Sequence, residues 1–243
     1  MTIAKSRIII NRLLADWKLR TKYVDDTTAL EIIPRNSMSL LDLAVRDIHA
    51  YCIDHSMKLN PRKCKEMVVN FLHNPNIAMR PLCVGNCTVE RVSSFKLLGV
   101  VIRDDLKWND HVEYIVTKAS KRLHALRLLK RAGVNIPELL KVYKSNVRSI
   151  LEYAAQVWQN IPGYLSSKLE SIQKRAFTII FPDSSYSEAL RSANVNTLEN
   201  RRETLCKKLA EQMKDENHPL SFLFPFLRAF TAIYSIHIPV MAR

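Results

Sequence analysis

Three observations predict an α+β fold. Runs of β-branched and aromatic residues, broken by turn-forming residues, fill the chain up to about residue 106. From Trp108 onward the apolar residues recur with a helical period. An apolar fraction of 47% over 243 residues is enough for a substantial core. The expected order is antiparallel β-hairpins with a packed helix over residues 1–106 and a helical bundle over 107–182. C-terminal helices and an unassigned tail follow over 183–243.

The first element is a hairpin centred on Tyr23-Val24-Asp25-Asp26, with strand-forming residues on both sides over 19–33. Asp tolerates the backbone angles of a two-residue turn, so Asp25 and Asp26 serve as turn residues whose charges stand in water. Two adjacent carboxylates on a rigid tip also repel each other, and a hard cation such as Mg²⁺ relieves that repulsion. Both readings stand at this level.

Pro34 closes the second strand, and Ser37 or Ser39 can cap a helix whose buried face carries Leu41, Ala44, Val45, Ile48 and Cys52. Met67 to Leu72 reads as an apolar strand, and Leu82 to Val89 as a hairpin turning at Gly85-Asn86. Phe95 to Ile102 reads as one buried strand with Gly99 inside it, where a strand glycine marks close backbone approach.

The helical region opens at Trp108, with Asn109 as cap and a stripe of Val112, Ile115, Val116, Ala119, Leu123 and Leu126. Gly133 ends this helix and Pro137 opens the next. The second helix carries Leu140, Tyr143, Val147, Leu151, Ala154 and Trp158 as its stripe. A third, from Tyr164 to Ile180, buries Leu165, Leu169, Ile172, Ala176 and Ile180. One short and one longer polar helix follow before Asn217. The stretch after Phe226 has no clear period.

Thirty-seven Lys and Arg against 23 Asp and Glu give a net charge of +14, which favours a polyanionic partner, nucleic acid before membrane. Five cysteines with no C-x-x-C pair argue against a disulfide framework and for a reducing compartment. Arg12 interrupts the apolar start, which makes a poor signal peptide. An intracellular protein, nuclear or cytoplasmic and not secreted, is expected. Pro225, Arg228, His237 and Pro239 interrupt the apolar tail, so no stable membrane association is expected.

The order of motifs resembles the second half of a reverse transcriptase, an RNA-directed DNA polymerase, of the non-LTR (LINE-type) retrotransposons. The ordered set is Tyr23-Val24-Asp25-Asp26, a helix, Asn60-Pro-Arg-Lys63-Cys64, Phe95-Lys-Leu-Leu-Gly99, and a basic helical region. The resemblance spans about residues 19–215. It implies a partial polymerase palm followed by a thumb-like bundle, with RNA template, DNA primer and deoxynucleoside triphosphates as partners. It implies Mg²⁺ on Asp25 and Asp26, with Tyr23 and Val24 near the primer terminus, and Lys63 as proton donor to pyrophosphate. Phe95, Lys96, Leu97, Leu98 and Gly99 match the primer grip. Lys118, Lys121, Arg122, Lys141 and Arg148 become the candidates for phosphate contacts, which position a duplex without reading its sequence.

The chain also departs from the pattern. Only 22 residues precede Tyr23, and Asp16, their sole acidic residue, lies too near in sequence to belong to a separate palm strand. The family's other palm Asp and its fingers are not among these residues. A truncated copy without polymerase activity of its own is therefore expected, and the alternative is a non-catalytic, basic nucleic-acid-binding remnant.

Overall fold

The computed structural model describes residues 20–23, 26–31, 33, 38–70 and 80–221. It is a mixed helix and strand chain, mostly helical, in which every described sheet has two strands. The chain divides into two compact units. One holds the described residues up to Phe95 with Asp104–Leu106, and the other holds Lys96–Arg103 and the described residues from Lys107 onward.

In the first unit, β1 (Arg20–Tyr23) and β2 (Asp26–Ala29) pair antiparallel, with Tyr23 opposite Asp26. The antiparallel pairing is as the sequence predicts, but Asp26 is the first residue of β2 and a ladder partner of Tyr23, not the turn residue expected from the sequence. Val24 and Asp25, the connecting residues, lie outside the described residues.

Helix α1 (Leu41–Asp54) has Leu40, not Ser39, at its N-cap, with no side-chain cap hydrogen bond. The Ser39 hydroxyl, one residue earlier, accepts the Leu41 N–H at 3.2 Å, and Ser37 lies outside the described residues. The helix ends in an αL residue, Ser56 (φ 54°), with the Met57 N–H on the Cys52 carbonyl at 2.7 Å. Ala44 and Cys52 are buried, while Leu41 and Val45 pack on a small core of Leu82, Val84 and Val89.

β4 (Cys83–Val84) and β5 (Cys87–Thr88) form the expected hairpin, and Gly85 has φ +58° at its first central position, as a type II′ turn requires. The Met67 to Leu72 strand is not formed as expected. Strand β3 covers only Lys65–Glu66 and pairs in parallel with β6 (Glu90–Arg91), while 67–70 are irregular and 71–72 lie outside the described residues. The short ladder is held by side chains: buried Glu66 takes two hydrogen bonds from Arg91, at 3.0 and 3.3 Å. Cys52, Cys64, Cys83, Cys87 and Cys206 are all free thiols.

The run from Phe95 to Ile102 is a hairpin, not one buried strand. Strands β7 (Ser94–Leu97) and β8 (Val100–Arg103) flank a turn at Leu98 (φ 47°) and Gly99 (φ 91°). Positive φ at both central positions is the signature of a type I′ turn, whose twist matches the strands it joins. Phe95 and Leu98 are exposed as a consequence.

Helix α2 (Asn109–Arg131) buries the expected stripe together with His111, with Val116 packed at its edge. Asn109 is the first helical residue and not the cap; Trp108 holds the cap position with no side-chain hydrogen bond. Gly133 (φ +79°) closes the helix, with its N–H on Lys130 and the Val134 N–H on Leu129.

The second long helix is interrupted. Helix α3 (Ile136–Tyr143), capped by Asn135, runs into a π-helical turn (Lys144–Arg148) and then α4 (Ser149–Glu152). Ala154 adopts αL (φ 52°) and ends α4 before α5 (Ala155–Trp158) begins. The buried residues are Leu139, Tyr143, Val147, Leu151, Ala155 and Trp158. Leu140 and Ala154 therefore lie beside the stripe and not on it. The π turn widens the period, so the buried positions recur every four residues across it, where an unbroken 3.6 period drifts off by one.

Helix α6 (Gly163–Ile180) buries all five expected residues and adds Gln173 and Phe177. It runs parallel to α2: Asn109 meets Tyr164, Glu113 meets Lys168 and Ser120 meets Arg175, each pair 55 residues apart. Helices α7 (Tyr186–Ala193) and α8 (Leu198–Gln212) complete the unit as the expected short and longer polar helices. A capping box at Ser185 and Glu188 opens α7. Among the described residues, no helix is long and apolar enough to cross a membrane.

Candidate nucleic-acid interface

The β7–β8 hairpin is fastened to the bundle at four points. At its tip the Tyr153 hydroxyl donates to the Leu98 carbonyl at 2.8 Å. Along its length the Val101 N–H donates to His111 Nδ1 at 3.3 Å and Arg103 donates to Asp110 at 2.9 Å. Lys96 Nζ donates to the Tyr114 hydroxyl at 2.6 Å. The hairpin thus lies along the first turns of α2, where Asp110, Tyr114 and Lys118 follow one another at i, i+4 spacing on one face.

Gly99 is required twice at the tip. Its φ is left-handed, and a Cβ there would meet Tyr153 Cε1 at 3.2 Å. Gly99→Ala is expected to destabilise this unit by about 1–2 kcal/mol, read from urea unfolding. No change in the unfolding midpoint would show that the tip is not held against Tyr153.

A shallow cleft beside the hairpin is lined by Asp110, Glu113, Tyr114, Thr117, Lys118 and Lys121. Its two acids are both engaged, Asp110 by Arg103 and Glu113 by Lys168. Lys121 and the neighbouring Arg122 are exposed and have no ion pair among the described residues. Lys96 lies 4.4 Å from the Tyr114 ring centroid and Lys118 lies 6.0 Å from it. The Lys96 hydrogen bond holds the Tyr114 phenol below its ordinary pKa, with the Lys118 charge adding to the effect. The cleft is therefore net positive around an aromatic ring, an arrangement suited to a nucleic-acid strand.

His111, beneath the hairpin, is fully buried against Trp158 at 5.3 Å between centroids. Burial pushes its pKa down to about 4, so it is neutral at physiological pH. Nδ1, facing the Val101 N–H, is then the unprotonated nitrogen.

The expected site residues fall into three sets. Lys96, Lys118, Lys121 and Arg122 are brought to one face by the hairpin and α2. Lys141 and Arg148 are engaged by acids of their own helical run, Lys141 with Glu138 at 2.7 Å and Arg148 with Glu152 at 3.6 Å. Glu152 is also gripped in a bidentate pair by Arg201 of α8, both contacts at 3.1 Å. Lys63 stands exposed in the turn over residues 60–64, in the first unit. Tyr23 and Asp26 face each other across the β1–β2 ladder, while Val24 and Asp25 lie outside the described residues.

No group of three or more His, Cys, Asp or Glu that could hold a metal occurs among the described residues. The carboxylates of Asp25 and Asp26 are donors of the type Mg²⁺ takes. Phe95, Leu97, Leu98 and Gly99 build the hairpin, and of this stretch only Lys96 adds charge. Tyr114 is absent from the sequence expectation. Its one signal there is the i, i+4 spacing to Lys118 on a basic helix face. No family model, no curated protein and no solved structure matches this chain.

Proposed function

We propose that the helical unit holds a nucleic-acid strand by its phosphates, as the thumb-like part of a non-LTR reverse transcriptase would. The observation that carries this reading is the gathering of Lys96, from the hairpin, with Lys118 and Lys121, from α2, around Tyr114. Both acids of the cleft are neutralised, so the positive charge is available to a polyanion. The phosphate contacts fix position and carry no sequence information.

Fluorescence anisotropy with a labelled RNA–DNA duplex tests this. Each phosphate neutralised contributes about −0.9 to the slope of log K against log salt, so three to four contacts give a slope of about −3. Affinity is expected to be independent of duplex sequence. Binding that does not change between low and high salt would end the reading.

A second reading, RNA-directed DNA synthesis, is favoured by the register of the first hairpin. The antiparallel pairing of Arg20–Tyr23 with Asp26–Ala29 is the one expected of the catalytic hairpin, with Asp26 at the start of its second strand. In that role Asp25 and Asp26 would hold Mg²⁺, which would stabilise the attacking and leaving oxygens of nucleotidyl transfer. Mg²⁺-dependent primer extension that is lost in Asp25→Asn supports this reading. Salt-dependent binding without extension leaves the holding role alone.

A further inference from the structure

We propose that Tyr114 is the positioning residue that holds Lys96 of the hairpin within the cation cluster of α2. The proposal rests on the nucleic-acid reading above and deepens it. Lys118 and Lys121 have their spacing fixed by one helix, but Lys96 comes from β7 and has a flexible stem. Tyr114 is the side chain that touches both sets. Its hydroxyl accepts from Lys96 at 2.6 Å, and its ring lies under both Lys96 and Lys118.

Gathering ammonium groups on one exposed face is opposed by their mutual repulsion. The negative face of an aromatic ring offsets that repulsion without neutralising the cluster, as a carboxylate would. The phenol oxygen stands in for a phosphate oxygen as the acceptor for Lys96. A nucleic-acid phosphate can take over that role, because a hydrogen bond at an exposed site is exchanged readily for a charge-assisted one. The lowered pKa of the Tyr114 phenol agrees with an ammonium resting on it.

The experiment compares wild type, Lys96→Met, Tyr114→Phe, Tyr114→Ala and the Lys96→Met/Tyr114→Ala double variant in duplex binding across salt. Circular dichroism confirms that each is folded. Lys96→Met is expected to reduce the magnitude of the salt slope by about one contact and to weaken low-salt affinity several-fold. Tyr114→Ala is expected to do the same, with the double variant no weaker than either single variant. Tyr114→Phe, which keeps the ring and loses the acceptor, is expected to fall between. NMR titration of the tyrosine ring carbons gives a readout free of ligand: Lys96→Met should raise the Tyr114 pKa.

A Lys96→Met effect that Tyr114→Ala and Tyr114→Phe do not share overturns this proposal alone. Additive losses in the double variant do so as well. Wild-type binding that Lys96→Met leaves unchanged removes the hairpin from the interface, while the nucleic-acid reading stands on α2. Absence of salt-dependent binding by wild type overturns the reading and this proposal together.

Discussion

Gln173→Leu is expected to destabilise the helical unit by about 2–4 kcal/mol, although leucine fits the space with little change in volume. Gln173 is fully buried in α6, and its side-chain oxygen accepts the Tyr143 hydroxyl from α3. Its amide donates to the Tyr186 hydroxyl at 2.8 Å and to the Asn196 carbonyl at 3.1 Å. Tyr186 donates in turn to Glu170, whose other oxygen accepts the Leu198 N–H at the start of α8 at 3.0 Å. Burial raises the pKa of both phenols, so they remain donors across the ordinary pH range.

Leucine leaves the Tyr143 hydroxyl without an acceptor in a site with no water access, and it breaks the link to Tyr186 and α8. Adding Tyr143→Phe removes the orphaned hydroxyl and is expected to recover part of the loss. Urea unfolding followed by circular dichroism reads both variants. A loss below about 1 kcal/mol for Gln173→Leu would show that water replaces the network.

The second large effect is on pH dependence. His111 has its pKa lowered from 6.5 to about 4 in the folded protein, because the charged imidazolium would be buried against Trp158. Between these values the unfolded chain binds a proton that the folded chain does not. The stability that depends on neutral His111 is therefore full above pH 6.5 and falls as pH drops toward 4. The slope is about 1.4 kcal/mol per pH unit for one proton, or roughly 3 kcal/mol over the window. Protonation also turns Nδ1 into a donor facing the Val101 N–H, so the hairpin is expected to loosen first.

Urea unfolding at several pH values, for wild type and His111→Phe, checks this. The phenylalanine variant is expected to lose most of the slope. An equal slope in both proteins would place the titrating group elsewhere.

The legible parts of the fold were those that local pattern controls. The stripes of α2 and α6 follow an unbroken helical period, and Gly85-Asn86 carries its own turn chemistry. The π turn after Tyr143 is not written in local pattern. Residues 144–148, Lys-Ser-Asn-Val-Arg, contain no Gly or Pro to mark a break, and the widened turn brings Val147 and Leu151 onto the core with Tyr143. The turn at Leu98 was hidden for a similar reason. A leucine at φ 47° is unfavourable by itself, and the contacts at Gly99, Tyr153 and His111 hold it there.

Within the site, the sequence pointed to Lys96, Lys118, Lys121 and Arg122 separately. That Lys96 meets the other cations across Tyr114 follows from the docking of a hairpin on a helix, which no single segment encodes. Lys141 and Arg148 look equivalent to the others in sequence. The structure separates them by their acid partners, Glu138 and Glu152.

The most direct test of the central claim is NMR chemical-shift mapping on the ¹³C-labelled chain as a short RNA–DNA duplex is added. Lys96, Lys118 and Lys121 side-chain signals and the Tyr114 ring are expected to shift together, and salt is expected to reverse those shifts. Shifts confined to other faces of the helical unit, with these four residues unmoved, would contradict the account.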